Sequence, residues 1–212
     1  MIDTTILFVP WQKSLGSADS SMSKFAFNLG MDDEGRVRLK NPQMARSAEG
    51  MEYEHKNNAW IKSGRSRGKT IYEVWYSGSM SVMLLGLTGS SQIYVRGHCL
   101  VGSPTVFSKS TGNPHGHLKF NEVADRLIDT GLRVDFSGKI KCYNCHSAEG
   151  IVPFAQLFAD YLYDKGYKQC TYYGYEGALE SLPDTDGHKY STAGGRASKY
   201  RTQIIPKGLK KS

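Results

Sequence analysis

Residues 139–177, KIKCYNCHSAEGIVPFAQLFADYLYDKGYKQCTYYGYEG, decide how this chain folds. The opening KIKCYN reads as a short strand. Residues 152–166 place Phe154, Leu157, Phe158, Tyr161 and Leu162 on one stripe at helical spacing. Pro153 falls in the first turn, where its missing N–H loses no hydrogen bond. Residues 169–177, QCTYYGYEG, read as a second strand closed by Gly177. A strand, a helix and a strand in succession form a unit that pairs its strands in parallel.

The same alternation extends upstream. Residues 118–132, LKFNEVADRLIDTGL, carry a helical stripe of Phe120, Val123, Leu127 and Ile128, with Gly131 as a stop. Before them, SQIYVRGHC (residues 91–99) holds a strand at 92–96 that Gly97 ends. TIYEVWYSG (70–78) alternates as a strand does, and TILFV (5–9) is a β-branched and aromatic run that ends at Pro10. These elements predict one α/β domain over residues 1–212, with a mainly parallel sheet and helices on both faces. Its recognisable core is 90–177. Residues 14–69 read as a loop-rich excursion, with SLGSADSS and KSGRSRGK as loops, and 184–212 as a basic tail region.

Composition narrows the function. No apolar run is long enough to span a bilayer, and the N-terminal MIDTTILFVPWQ lacks the basic and long apolar regions of a signal peptide. The expected location is the cytoplasm, or outside the cell by a secretion route that needs no signal peptide. Four cysteines without a secretory signal argue against a disulfide framework. The net charge of +7 is compatible with nucleic acid, but the basic residues are scattered between residues 62–69 and 207–212 rather than gathered on one face. A basic nucleic-acid-binding protein is therefore the weakest of the readings, and no membrane partner is expected.

CYNCH (142–146) matches the c-type haem attachment pattern, yet Cys142 lies in a strand, so Cys142 and Cys145 point differently. A zinc site would have to recruit His115 and His117, whose His-x-His spacing is unusual for a structural site. A thioredoxin-like pair would need its first cysteine exposed, not within a strand. No metal and no cofactor is expected. There remains a reading in which Cys145 alone is special. It lies past a strand and before a helix, whose N–H groups and dipole favour a thiolate. A nucleophilic thiol needs a base. His98 ends the preceding strand, 47 residues upstream, at the carboxyl edge where open parallel sheets gather their chemistry. Cys142 and Cys170 read as core.

A strand ending in RGHC, a helix, then a strand ending in CYNCHSA resembles the caspase-like (clan CD) cysteine peptidases. The run FAQLFADYL after Cys145 is most similar to the toxin-processing branch, alongside the clostripain-like enzymes. The similarity covers about two-fifths of the chain and rests on order and on a His-to-Cys spacing of roughly 50 residues. It implies a caspase-like sheet, His98 as base, Cys145 as nucleophile, and an oxyanion hole from the backbone of Gly97 or Cys99 and of Cys145. It also implies a cysteine peptidase of bacterial effector or toxin-like kind, either an endopeptidase acting on a polypeptide substrate or one of the self-processing type. Tyr173, Tyr175 and Glu176, which end the next strand, are the expected substrate wall. Some toxin-processing relatives are switched on by a highly phosphorylated inositol. Arg196, Lys199 and Arg201 would hold such an anionic activator here. Two positions depart from the family: Cys99 stands where glycine follows the histidine, and Asn144 where a small residue precedes the cysteine. Both would crowd the substrate carbonyl, which keeps open an inactive relative that only binds.

Overall fold

The computed structural model describes residues 4–12, 29–31, 37–39, 51–108, 116–180, 182–184, 186 and 188–209. The stretch SLGSADSS and His115 lie outside these. Six strands make the main sheet: β1 (Thr4–Val9), β4 (Thr70–Trp75), β5 (Gln92–Arg96), β8 (Lys139–Tyr143), β9 (Thr171–Tyr175) and β10 (Arg201–Ile204). Their order across the sheet is β10-β9-β8-β5-β1-β4. All neighbours run parallel except β10, which returns antiparallel to β9. Between them lie two small antiparallel pairs, β2 (Leu29–Met31) with β3 (Val37–Leu39), and β6 (Thr105–Phe107) with β7 (His117–Lys119), and one short helix, α2 (Val82–Leu85). The fold is α/β, with a mostly parallel sheet.

Side-chain alternation along the strands makes two unlike faces. Ile6, Phe8, Ile93, Val95, Ile140, Cys142 and Tyr172 point to one side, where α3 (Phe120–Asp129) and α4 (Phe154–Asp164) cover them with Val123, Leu127, Phe154, Phe158 and Leu162. The predicted stripes face this core, but Phe120, Ile128, Leu157 and Tyr161 are only half-buried, and Ala124, Ala155 and Ala159 lie inward without having been expected there. Cys142 and Cys170 are core, as their positions imply.

Leu7, Ile71, Tyr94, Tyr143 and Tyr175 point to the other side, against α1 (Met51–Arg65) through Trp60. Helix α1 corrects the loop-rich reading of residues 14–69, and Lys62–Arg65 of the supposed loop KSGRSRGK are its last turn. Its inward stripe is Tyr53, Asn57, Trp60 and Gly64. Tyr53, Asn57 and Trp60 are buried, and at Gly64 an added β-carbon would collide with the Ile71 side chain. An amide and a glycine at two of four inward positions hide the helical period from a hydrophobicity pattern. Residues 184–212 are likewise more than a basic tail, since β10 closes one edge of the sheet. Among the described residues, no helix is long and apolar enough to cross a membrane.

Candidate functional site

Strand register brings the two sequence candidates together. Arg96 of β5 pairs with Tyr143 of β8, so His98 and Cys145 each lie two residues beyond the same rung. Both are half-buried, while Gly97, Cys99, Asn144 and Ser147 around them are buried. They share one small cleft with Tyr53, Arg96, Gly97, Tyr143, Leu179 and Glu180. The His98 backbone is locked to β6, donating to the Phe107 carbonyl at 2.9 Å and accepting from its N–H at 2.8 Å. The Tyr53 ring lies 5.7 Å from the imidazole. Across the cleft, the Leu179 N–H donates to the Cys145 sulfur at 3.3 Å.

Beneath the cleft lies a buried cation. The Arg96 guanidinium stacks among Trp60, Tyr143 and Tyr53, at 4.3, 5.4 and 5.6 Å from their ring centres. Burial lowers its pKa, and electrostatic attraction to Tyr53, Tyr143, Cys145 and Glu73 opposes that shift. A positive charge held against Cys145 and an N–H aimed at its sulfur give that sulfur two electropositive neighbours.

The other three cysteines are chemically quiet. Burial pushes the Cys99 and Cys170 thiols up to about 12, and Cys142 higher still. Cys142 packs in the core beneath α3 and α4, while Cys145 packs at the opposite face, so the CxxCH residues do not converge. His146 has its own task. Its backbone is left-handed (φ 55°), Nδ1 lies 2.5 Å from the Glu149 carboxylate, and its N–H donates to the Gly177 carbonyl at 2.9 Å. Glu149 also accepts from the Gly177 N–H at 2.6 Å. The imidazole and this N–H hold the carboxyl below the usual carboxylate range. Together they fasten the loop after Cys145 to the segment that carries Leu179.

Several expected placements change. Gly97 borders the cleft, but Cys99 does not, because its side chain turns into the core. Asn144 also points inward, donating from Nδ2 to the Gly97 carbonyl at 2.9 Å. Neither residue crowds the cleft, contrary to the expectation from their size. Tyr173, Tyr175 and Glu176 do not line it. Tyr175 is buried against Tyr143, Tyr173 lies under the Arg201 guanidinium, and Glu176 accepts from the Thr202 hydroxyl. The wall is instead Leu179 and Glu180, because the chain still has to turn past Gly177 (φ 71°) before it reaches the strand ends. Arg96 and Tyr143 were not expected in the site, although their place two positions before His98 and Cys145 on the same face was a signal that could have found them. Tyr53 had no sequence signal.

A second pocket opens on the α1 side. Arg67, Lys69, His188, Lys189, Arg196 and Arg201 line it, and among the described residues no carboxylate does. Of the three residues expected to bind an anion, Arg196 and Arg201 are here, whereas Lys199 is not and folds back toward Gly195. The Lys189 ammonium sits over the Tyr94 ring at 3.2 Å. Its pKa is well below that of an ordinary lysine, through burial first and then repulsion from Lys141, Arg96, Lys69 and Arg201. Lys141, beneath the pocket, donates to Gln92 Oε1 at 2.5 Å and to the Tyr94 hydroxyl at 3.0 Å. Burial brings it down to about 7. Among the described residues, no three His, Cys, Asp or Glu side chains gather as a metal site would require. Comparison with protein families, with curated proteins and with solved structures finds no match to this chain.

Proposed function

We propose that the chain is a cysteine endopeptidase of caspase-like kind, with His98 and Cys145 as its dyad. The observation that carries the reading is the shared cleft at matched strand ends, which is the placement the resemblance calls for. His98 takes the proton from Cys145, and the thiolate attacks a peptide carbonyl carbon. The leaving amine receives the proton from His98 as the C–N bond breaks. Water, deprotonated by His98, then hydrolyses the thioester and regenerates the thiol. Gly97, at the cleft border, is the nearer candidate for an oxyanion donor. His98 is excluded from that role because its N–H is already spent on Phe107.

The basic pocket supports an accompanying reading, a polyanionic activator held by Arg196 and Arg201 together with Arg67, Lys69 and Lys189. Cations clustered around an opening favour an anionic ligand there. Segment 179–201 joins the two sites: Leu179 pairs with Ser191, and the Glu180 N–H donates to the Tyr190 carbonyl at 2.9 Å.

The test is the iodoacetamide alkylation rate of Cys145 at pH 6, read by peptide mass spectrometry in the native protein and in His98→Ala. An unperturbed thiol is under about 1% thiolate at that pH. Because the other cysteines are buried, the comparison that counts is with His98→Ala rather than with them. A drop of at least tenfold in the variant is expected. Equal rates would remove the peptidase reading.

A further inference from the structure

We infer that Asn144 is a positioning residue that fixes the spacing between His98 and Cys145, an inference that rests on the dyad reading above. Backbone pairing between β5 and β8 ends at Arg96 and Tyr143. The next N–H on the β8 side, that of Asn144, donates back to the Cys142 carbonyl at 2.9 Å instead of crossing to β5. The two candidate residues therefore stand beyond the last rung of the ladder, where strand ends splay unless something ties them. The tie is the Asn144 side chain, whose Nδ2 donates to the Gly97 carbonyl at 2.9 Å. Asn144 precedes Cys145 and Gly97 precedes His98, so this one bond joins the immediate neighbours of both.

Two features show that the contact is built rather than incidental. Gly97 makes room for it: an added β-carbon would lie 3.0 Å from Nδ2 of Asn144, 3.0 Å from Cβ of Val106 and 3.3 Å from Trp11. Asn144 is also only 1% exposed, and its Oδ1 is buried without a hydrogen-bond partner. An amide that leaves one buried acceptor unsatisfied is less favourable for folding than an apolar residue of similar size. Its side chain is placed to make one bond, the one to Gly97. The Cys145 loop is tied on its other side by Ser147, whose hydroxyl donates to the Cys142 carbonyl at 2.8 Å and accepts from the Tyr175 N–H at 2.9 Å. That contact reaches β9 and not the His98 strand, which makes Ser147 the matched control.

The experiment measures the pH profile of Cys145 alkylation in the native protein, His98→Ala, Asn144→Asp, Asn144→Leu and Ser147→Ala, with a thermal melt of each. Asn144→Asp keeps the shape and replaces the donor by an oxygen facing a carbonyl. Asn144→Leu removes both polar atoms, so it stays folded should the aspartate not. The expected result is that both Asn144 variants lose at least tenfold at pH 6, with profiles moving toward that of His98→Ala. Ser147→Ala should melt lower yet keep the native profile. If the native protein shows a His98-dependent rate and the folded Asn144 variants keep it, the inference is overturned and the dyad stands. Equal displacement of the profile by Ser147→Ala would also overturn it, reducing Asn144 to one loop contact among several. If the native protein itself shows no His98 dependence, the dyad falls before any Asn144 variant is read, and the inference falls with it.

Discussion

The two faces of the sheet are made of different material. Under α3 and α4 the strands present Ile93, Val95, Ile140 and Cys142, with nothing to ionise at neutral pH. On the α1 side the same strands present Gln92, Tyr94, Arg96, Lys141 and Tyr143, all largely or wholly buried apart from Gln92. The first face is a packing surface whose contribution scales with buried apolar area. The second places three positively charged or basic groups, Arg96, Lys141 and Lys189, among aromatic rings. Burying charge opposes folding, so a face built this way is suited to binding and chemistry more than to stability. Both the His98–Cys145 cleft and the basic pocket open on that second face.

The contrast predicts where substitutions will be felt. The largest effect belongs to the packing face: Phe158→Ala should destabilise the protein by about 3–5 kcal/mol in denaturant melts. A loss under about 1 kcal/mol would mean that α4 is not anchored there. Next, a polyphosphorylated probe such as inositol hexakisphosphate, at a hundredfold excess over its dissociation constant, should stabilise the fold by about 2.7 kcal/mol. Arg196→Glu with Arg201→Glu should abolish that gain. A melting temperature unmoved by the probe would leave the cations of the second face without the role given to them.

Lys141 gives the third effect, and its sign is set by burial. Its proton is held more weakly in the folded chain, at about 7, than in the unfolded one, near the ordinary value of 10.5. Unfolding therefore takes up a proton between those values. Stability should rise with pH across that window, and below pH 7 the full penalty of a buried ammonium remains. Lys141→Met should stabilise the protein by about 2 kcal/mol at pH 6 and flatten its pH dependence above 7, since methionine keeps the bulk and removes the charge. Destabilisation at pH 6 would show that the ammonium is compensated rather than strained. The smallest effect returns to the packing face. At Gly174 an added β-carbon would lie 2.8 Å from Cβ of Ala155 and 3.0 Å from Cβ of Ala148. Gly174→Ala should destabilise by about 1–2 kcal/mol. A neutral result would show that α4 can shift outward.

The sequence by itself determined the packing face and the two residues, His98 and Cys145, that meet in one cleft. Helical stripes such as Phe154–Phe158–Leu162 and apolar alternation such as Ile93–Val95 carry their own period, and parallel crossover connections follow from their order. His98 and Cys145 were legible because each follows a readable strand. What only the tertiary structure decided lies on the other face. Helix α1 buries an asparagine and a glycine, so its period is invisible in hydrophobicity. Buried Arg96 and Lys141 read as surface residues until the rings and amide that accommodate them, drawn from distant segments, come together. Leu179 and Glu180 line the cleft because of the path the chain takes after Gly177, which ends a readable strand but whose onward direction no pattern gives. Asn144 looked like an obstruction, yet its side chain turns inward and donates to the Gly97 carbonyl. Local periodicity is written in neighbours a few residues apart. Compensation of buried polar groups is arranged between residues tens of positions apart, such as Asn144 with Gly97, and only folding brings those together.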